Sequence, residues 1–113
     1  MNTDLHIVST ADGIPAFDSN EVSLLFQVPH NDLYAQISEL RRELEAVKIN
    51  PREYFRMHTY GDDNGRFESY RITWEGLILL SNSFPGEKGL IMRAVSASTV
   101  MNQFKTLAAK ETV

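Results

Sequence analysis

The fold turns on the stretch Asp18-Ser19-Asn20-Glu21-Val22-Ser23-Leu24-Leu25-Phe26-Gln27-Val28-Pro29-His30-Asn31-Asp32-Leu33. Asp18 with Glu21 three residues later has the form of a capping box, in which a side-chain oxygen satisfies an orphan backbone N–H of the first turn. Val22, Leu24, Leu25 and Phe26 then predict a short apolar helix of about two turns that stops at Pro29. His30-Asn31-Asp32 starts a second helix, whose Leu33, Ile37, Leu40, Leu44 and Val47 recur at spacings of 4, 3, 4 and 3, the period of one buried helical face. Its polar face carries Gln36, Glu39, Arg41, Arg42, Glu43 and Glu45. Two helices divided by a few residues containing a breaker have the outline of a helix-turn-helix.

Before this unit, Leu5-His6-Ile7-Val8 and Ile14-Pro15-Ala16-Phe17 flank the turn tripeptide Ala11-Asp12-Gly13, which predicts a small opening hairpin with Pro15 marking an edge strand. After it, Asn50-Pro51-Arg52-Glu53 is a second start signal and predicts one short turn. The period then switches to two. In Phe55 to Tyr60 and Glu68 to Ile72, one face collects Phe55, Met57, Tyr70 and Ile72 and the other Arg56, His58 and Arg71, so two strands are expected around the loop Asp62-Asp63-Asn64-Gly65. Thr73 caps a helix holding Trp74, Leu77, Ile78, Leu79 and Leu80, closed by Pro85-Gly86. A last helix, over 87–110, aligns Leu90, Ala94, Ala97, Met101, Phe104 and Ala108 at spacings of 4, 3, 4, 3 and 4. That stripe either pairs with a second copy in a homodimer or roofs the domain core.

Residues 1–113 are expected to form a single domain, since 113 residues with 42% apolar and 23% charged composition suit one packed core. The formal charge is −4, and residues 1–29 carry all of it through Asp4, Asp12, Asp18 and Glu21, without a Lys or Arg. A strongly basic nucleic-acid coat protein is excluded; a module with one locally basic face is not. The absence of cysteine removes disulfides, thiolate metal sites and a Cys nucleophile, and fits a reducing compartment. The N-terminal residues lack a cationic region, and the longest aliphatic run is Leu77 to Leu80, so neither a signal peptide nor a membrane partner is expected.

Enzymatic chemistry is not expected. His6, His30 and His58 show no metal-binding spacing. Asp62-Asp63-Asn64-Gly65 lacks the alternation and the twelfth-position Glu of a calcium loop. Gly86-Glu87-Lys88-Gly89 fails the phosphate-loop pattern and would set Glu87 against an anion. Glu39 and Glu43 lie one turn apart but beside Arg41 and Arg42, as on a solvated surface. No cofactor and no metal are expected.

What remains is a binding constellation. A helix-turn-helix followed by a β-hairpin is the winged-helix arrangement, in which the second helix enters the major groove and the hairpin reaches phosphate or the minor groove of double-stranded DNA. Groove-facing positions cluster at the start of the second helix. Asn31 and Gln36 there can each contact adenine bidentately, with Tyr34 beside them, while Arg41 and Arg42 meet phosphate farther along. Arg56, His58, Arg66 and Arg71 are expected to form the wing's basic side.

These residues resemble the phage regulatory protein Rha family, related in outline to the small DNA-binding modules at the front of phage antirepressors. The resemblance runs from about Leu5 to Arg93. It begins with Ile7-Val8, Asp12-Gly13, Pro15 and Asp18-Ser19-Asn20-Glu21-Val22, then His30, Leu33 and Ile37. Its most specific part is Tyr70-Arg71-Ile72-Thr73-Trp74-Glu75-Gly76-Leu77, followed by Leu79-Leu80, Phe84 and Gly86-Glu87-Lys88, similar to the family's Tyr-x-x-Thr segment with its acid-Gly pair and closing Phe-x-Gly-x-Lys. The chain departs from the family at Val28-Pro29, Ala35, Trp74, Pro85 and Gly89, several of them positions where a base is usual.

The resemblance implies an α+β winged helix-turn-helix in the bacterial cytoplasm, acting as a phage or prophage regulator that binds duplex DNA. A second expectation keeps the fold but makes the protein an antagonist that grips a basic DNA-binding protein through its acidic opening segment.

Overall fold

The computed structural model describes residues 7–10 and 13–111. Leu5, His6, Ala11 and Asp12 of the expected opening hairpin lie outside them. The hairpin itself is present as β1 (Val8–Ser9) and β2 (Pro15–Asp18), paired antiparallel with Val8 opposite Ala16. Helix α1 (Ser19–Phe26) follows β2 without a loop because Asp18 ends the strand in an extended conformation and accepts the Asn20 N–H at 2.9 Å.

Helix α2 (His30–Ala46) is the long amphipathic helix expected from its spacing, with Leu33, Ile37, Leu40 and Leu44 buried. Pro51–Glu53 forms one 3₁₀ turn, capped by the Asn50 side chain on the Arg52 N–H at 3.1 Å. Strands β3 (Phe55–Asp62) and β4 (Gly65–Ile72) pair along their whole length. They run farther toward the tip than the sequence pattern suggests. The loop shrinks to Asp63-Asn64, held by the Asn64 N–H donating to Asp62 Oδ1 at 2.8 Å. Helices α3 (Trp74–Asn82) and α4 (Gly86–Glu111) complete the chain.

The architecture among the described residues is α+β, four helices with a four-stranded antiparallel sheet in the order β1-β2-β4-β3. β2 joins β4 through Phe17 opposite Ile72 and Asp18 opposite Arg71, so β2 is not the edge strand that Pro15 suggested. Proline is tolerated because it sits at the strand's first residue, opposite Ser9, outside the ladder to β4.

The core lies between the sheet and α1, α2 and α3, with α4 adding Met92. Phe17, Val22, Leu33, Ile37, Phe55, Ile72, Leu77, Leu80 and Met92 are essentially inaccessible. Each such side chain contributes about 1.5 to 3 kcal/mol of burial free energy. Tight contacts set the α3 position. Thr73 Oγ1 accepts the Gly76 N–H at 3.2 Å and donates to the backbone carbonyls of Glu53 and Tyr54 at 2.9 and 3.1 Å. Gly76 packs so closely on the Tyr54 carbonyl that no Cβ would fit.

The last helix overturns one of the two expectations for its stripe. Gly89, Met92, Ser96 and Thr99 turn inward, whereas Leu90, Ala94, Ala97 and Met101 are exposed. The stripe from Leu90 to Met101 therefore does not roof the core. The side chains of Phe104 and Ala108 lie outside the described residues.

Candidate nucleic-acid interface

The corner between α1 and α2 is built by backbone geometry. Gln27 adopts φ 56°, its N–H donates to Leu24 O at 3.3 Å, and the Val28 N–H reaches back to Ser23 O at 3.0 Å. This pair of bonds is a Schellman closure, usually made with glycine in the left-handed position. Pro29 then opens α2, and Ser19 locks its first residue. The Ser19 oxygen accepts the Tyr70 N–H at 2.9 Å and stands 2.9 Å from His30 Nε2. One buried hydroxyl thus ties the start of α2 to β4.

Three residues along α2 face the hairpin instead of solvent. The Tyr34 ring lies 4.7 Å from the Tyr70 ring, and its hydroxyl donates to Glu68 Oε2 at 2.8 Å. Desolvation, followed by hydrogen bonds to Glu68 and Tyr70, raises the Tyr34 pKa well above the ordinary phenol value. Ser38 donates to the Tyr34 carbonyl at 3.0 Å and its oxygen pairs with Tyr70 OH at 3.0 Å. The Arg41 guanidinium sits 5.5 Å from the centre of the Tyr70 ring. Tyr34 and Arg41 therefore serve as packing between α2 and β4.

Of the other expected contact residues on α2, Asn31 and Arg42 are exposed and Gln36 is half-buried. Arg42 pairs with Glu39 one turn away, its side chain still 75% accessible. Ala35 and Asp32 are also exposed beside Asn31. The helix as a whole is acidic, Asp32, Glu39, Glu43 and Glu45 outnumbering Arg41 and Arg42.

The strand register separates the four residues assigned to the wing's basic side. Arg56, His58 and Arg71 share one face, with Arg56 directly opposite Arg71 and His58 opposite Ser69. Arg66, opposite Gly61, projects from the other face near the tip. The expected single basic side is thus split, because the strand alternation puts an even-numbered residue of β4 on the face opposite its odd-numbered neighbours.

Two like charges facing each other across a ladder repel, and here both turn away. Arg56 Nε donates to the Arg52 carbonyl at 3.0 Å. Arg71 donates to His58 Nε2 at 2.9 Å and lies 3.6 Å from Asp18 Oδ2, with only 18% of its side chain accessible. His58 is half-buried by the same contact.

Tyr60 and Phe67, outside the expected set, join His58 on this surface. His58, Tyr60 and Phe67 form an aromatic row on the Arg56 face, with ring centroids 6.1 Å and 5.6 Å apart. Tyr60 and Phe67 are 41% and 59% exposed. Carrying the two-residue alternation past Tyr60 and back to Phe67 is the signal that would have found them. Lys48 and Arg52 add exposed cations beyond the end of α2. Among the described residues no group of three or more acidic or histidine side chains could hold a metal ion, and no helix is long and apolar enough to cross a membrane.

Comparison of the chain with protein-family models, curated proteins and solved structures returned no match.

Proposed function

We propose that the chain is a winged helix-turn-helix module that binds duplex DNA as a phage or prophage regulator. The observation carrying this reading is the pairing of β2 with β4. It encloses α1 and α2 between β2 and β3 and leaves β3 and β4 projecting as a hairpin beside α2. Strand, helix, helix and a hairpin returning to the first strand make the winged-helix order, with α2 as the groove helix and the hairpin as the wing.

The contact set is narrower than the sequence suggests. Asn31 and Gln36 read base edges, and Arg42 and Arg66 hold phosphates, joined by Lys48 and Arg52. Tyr34, Arg41, His58 and Arg71 act as the frame that fixes α2 against the wing. Arg56, half-buried with its Nε on the Arg52 carbonyl, is a support for Arg52.

A mobility-shift assay at about 50 mM salt, where phosphate contacts are strongest, tests the reading. Shifts of phage or host duplex are expected. Failure to shift any duplex sinks it. Gln36→Ala is expected to relax preference at one base position while leaving nonspecific affinity unchanged.

A second reading is favoured by the acidity of α2 and of the hairpin, where Asp62, Asp63 and Glu68 are exposed and outnumber the single cation Arg66 near the tip. In it the same fold antagonises a basic DNA-binding protein by offering these carboxylates in place of phosphates. In the opening segment named for this role, Asp18 is taken up by Asn20, Ser69 and Arg71; Asp4 and Asp12 lie outside the described residues. Recovery of a basic partner from host lysate, released by salt, together with no DNA shift, would select this reading over the first.

A further inference from the structure

Helix α4 has two faces that ask for partners, and the fold supplies one. Its inward face, Gly89, Met92, Ser96 and Thr99, is made largely of small or polar residues, and the buried Ser96 hydroxyl has no hydrogen-bond partner. The opposite face is the more apolar. Leu90, Ile91 and Met101 are 61%, 54% and 54% exposed, with Ala94 and Ala97 exposed between them and no charged residue among the five. A helix that leaves its more apolar side in water is the reverse of the ordinary amphipathic arrangement.

We infer that this outward face is the interface of a homodimer in which two α4 helices pack antiparallel. Two observations select a second copy as the occupant. The first is register. Leu90, Ala94, Ala97, Met101, Phe104 and Ala108 keep heptad spacing along a backbone that is helical to Glu111. Antiparallel alignment centred on Thr99 sets Ala97 against the partner's Met101, small against large, and brings positions 90 and 94 level with positions 108 and 104 of the partner helix. Parallel alignment would stack Leu90 on Leu90 and Met101 on Met101 with alanine on alanine at 94 and 97 between them, alternating overpacked layers with voids. The second is area. A stable interface takes about 800 Å² from each partner. Full overlap of two 26-residue helices, each about 39 Å long, supplies an area of that order, and Ile91 extends it toward the apolar groove it shares with Leu25, Phe26 and Val95.

The arrangement is isologous and closed, so it predicts a dimer and no higher assembly. It is independent of what the molecule binds.

Sedimentation equilibrium of the full chain at micromolar concentrations should give twice 12.8 kDa; a mass of 12.8 kDa throughout overturns the inference. Ala97→Glu, at an exposed helical position, should return the monomer mass with an unchanged far-ultraviolet spectrum. A dimer that survives Ala97→Glu overturns the assignment to this face. Orientation is read by cysteine cross-linking, clean here because the chain has no native cysteine. Under mild oxidant, a mixture of Ala97→Cys and Met101→Cys chains should cross-link. Leu90→Cys alone should not, its two thiols being about 27 Å apart along an antiparallel pair. Rapid cross-linking of Leu90→Cys would establish a parallel pair and overturn the antiparallel one.

Discussion

Arg71 donates a hydrogen bond to Nε2 of His58, 2.9 Å away across the β3–β4 hairpin. A guanidinium can only donate, so this ring nitrogen accepts and His58 carries its proton on Nδ1. The same guanidinium stands 3.6 Å from the Asp18 carboxylate that caps α1. Arg71 thereby links the β3–β4 hairpin to the start of α1. Arg71→Ala is expected to lower stability by about 1 to 3 kcal/mol, the cost of stranding its partly buried partners, with the salt slope of DNA binding unchanged. Arg66→Ala, at an exposed position near the β3–β4 tip, should leave the melting temperature alone and, on the proposed DNA reading, lower that slope by about one. Chemical denaturation and salt-dependent titration of the two variants separate the roles; a slope that falls with Arg71→Ala would return Arg71 to the phosphate contacts.

The segment Thr73-Trp74-Glu75-Gly76, the most distinctive in the chain, acts as a fastener. Thr73 binds the Gly76 N–H and two carbonyls at the Glu53–Tyr54 corner, and Trp74 meets the Phe17 ring edge-on at 5.0 Å. Gly76→Ala should destabilise by about 1 to 3 kcal/mol because its methyl group runs into the Tyr54 backbone. Thr73→Ala should lose about 1 kcal/mol from the cap alone, and Thr73→Ser should recover most of it. Urea midpoints measured at constant slope provide the check.

The element order was readable from local chemistry, since caps, breakers and the change from helical to two-residue period are written in adjacent residues. Asp18, Asn50 and Thr73 each cap the helix or turn their sequence announces. The direction in which a side chain is spent was not readable. Arg41 and Arg71 look like surface cations, yet a tyrosine ring and a carboxylate from distant segments claim them. The sequence pattern groups Arg66 with Arg71 because it starts the second strand at Glu68; β4 in fact starts at Gly65, and its two-residue alternation then puts Arg66 on the opposite face. The α4 stripe was correctly seen as apolar, but periodicity cannot say which side of a helix the rest of the chain will cover.

Tyr34 gives the fold an alkaline limit. Desolvation first, and the hydrogen bond to Glu68 next, favour the neutral phenol in the folded protein and raise its pKa above 10.0. The unfolded chain therefore loses this proton first as pH rises. The stabilisation is complete below about pH 10 and declines above it as the unfolded state is favoured. Tyr34→Phe should flatten that decline, since phenylalanine keeps the stacking on Tyr70 without an ionisable group. Unfolding free energies measured from neutral pH to beyond 10 test it, and an unchanged alkaline limb in the variant would rule Tyr34 out as the cause.

Both α1 and α2 end on a side-chain-bearing residue in the left-handed region. Gln27 stands at φ 56° after α1, and Lys48 at φ 68° after α2. The second closure repeats the first, with the Lys48 N–H on Glu45 O at 3.1 Å and the Ile49 N–H on Leu44 O at 2.9 Å. Left-handed backbone costs an ordinary residue about 1 kcal/mol that glycine avoids. Against this, glycine carries more chain entropy in the unfolded state, which offsets part of the gain. Gln27→Gly and Lys48→Gly are each expected to stabilise by up to about 1 kcal/mol, raising the melting temperature by roughly 4 to 8 °C per kcal/mol for a domain of this size. The two sites lie at opposite ends of α2, so their effects should add. Loss of stability in both variants would mean that these closures are not what ends the helices in solution. Lys48→Gly also removes an exposed cation, so the same variant should bind DNA with a salt slope smaller by about one, a difference that Gln27→Gly should not share.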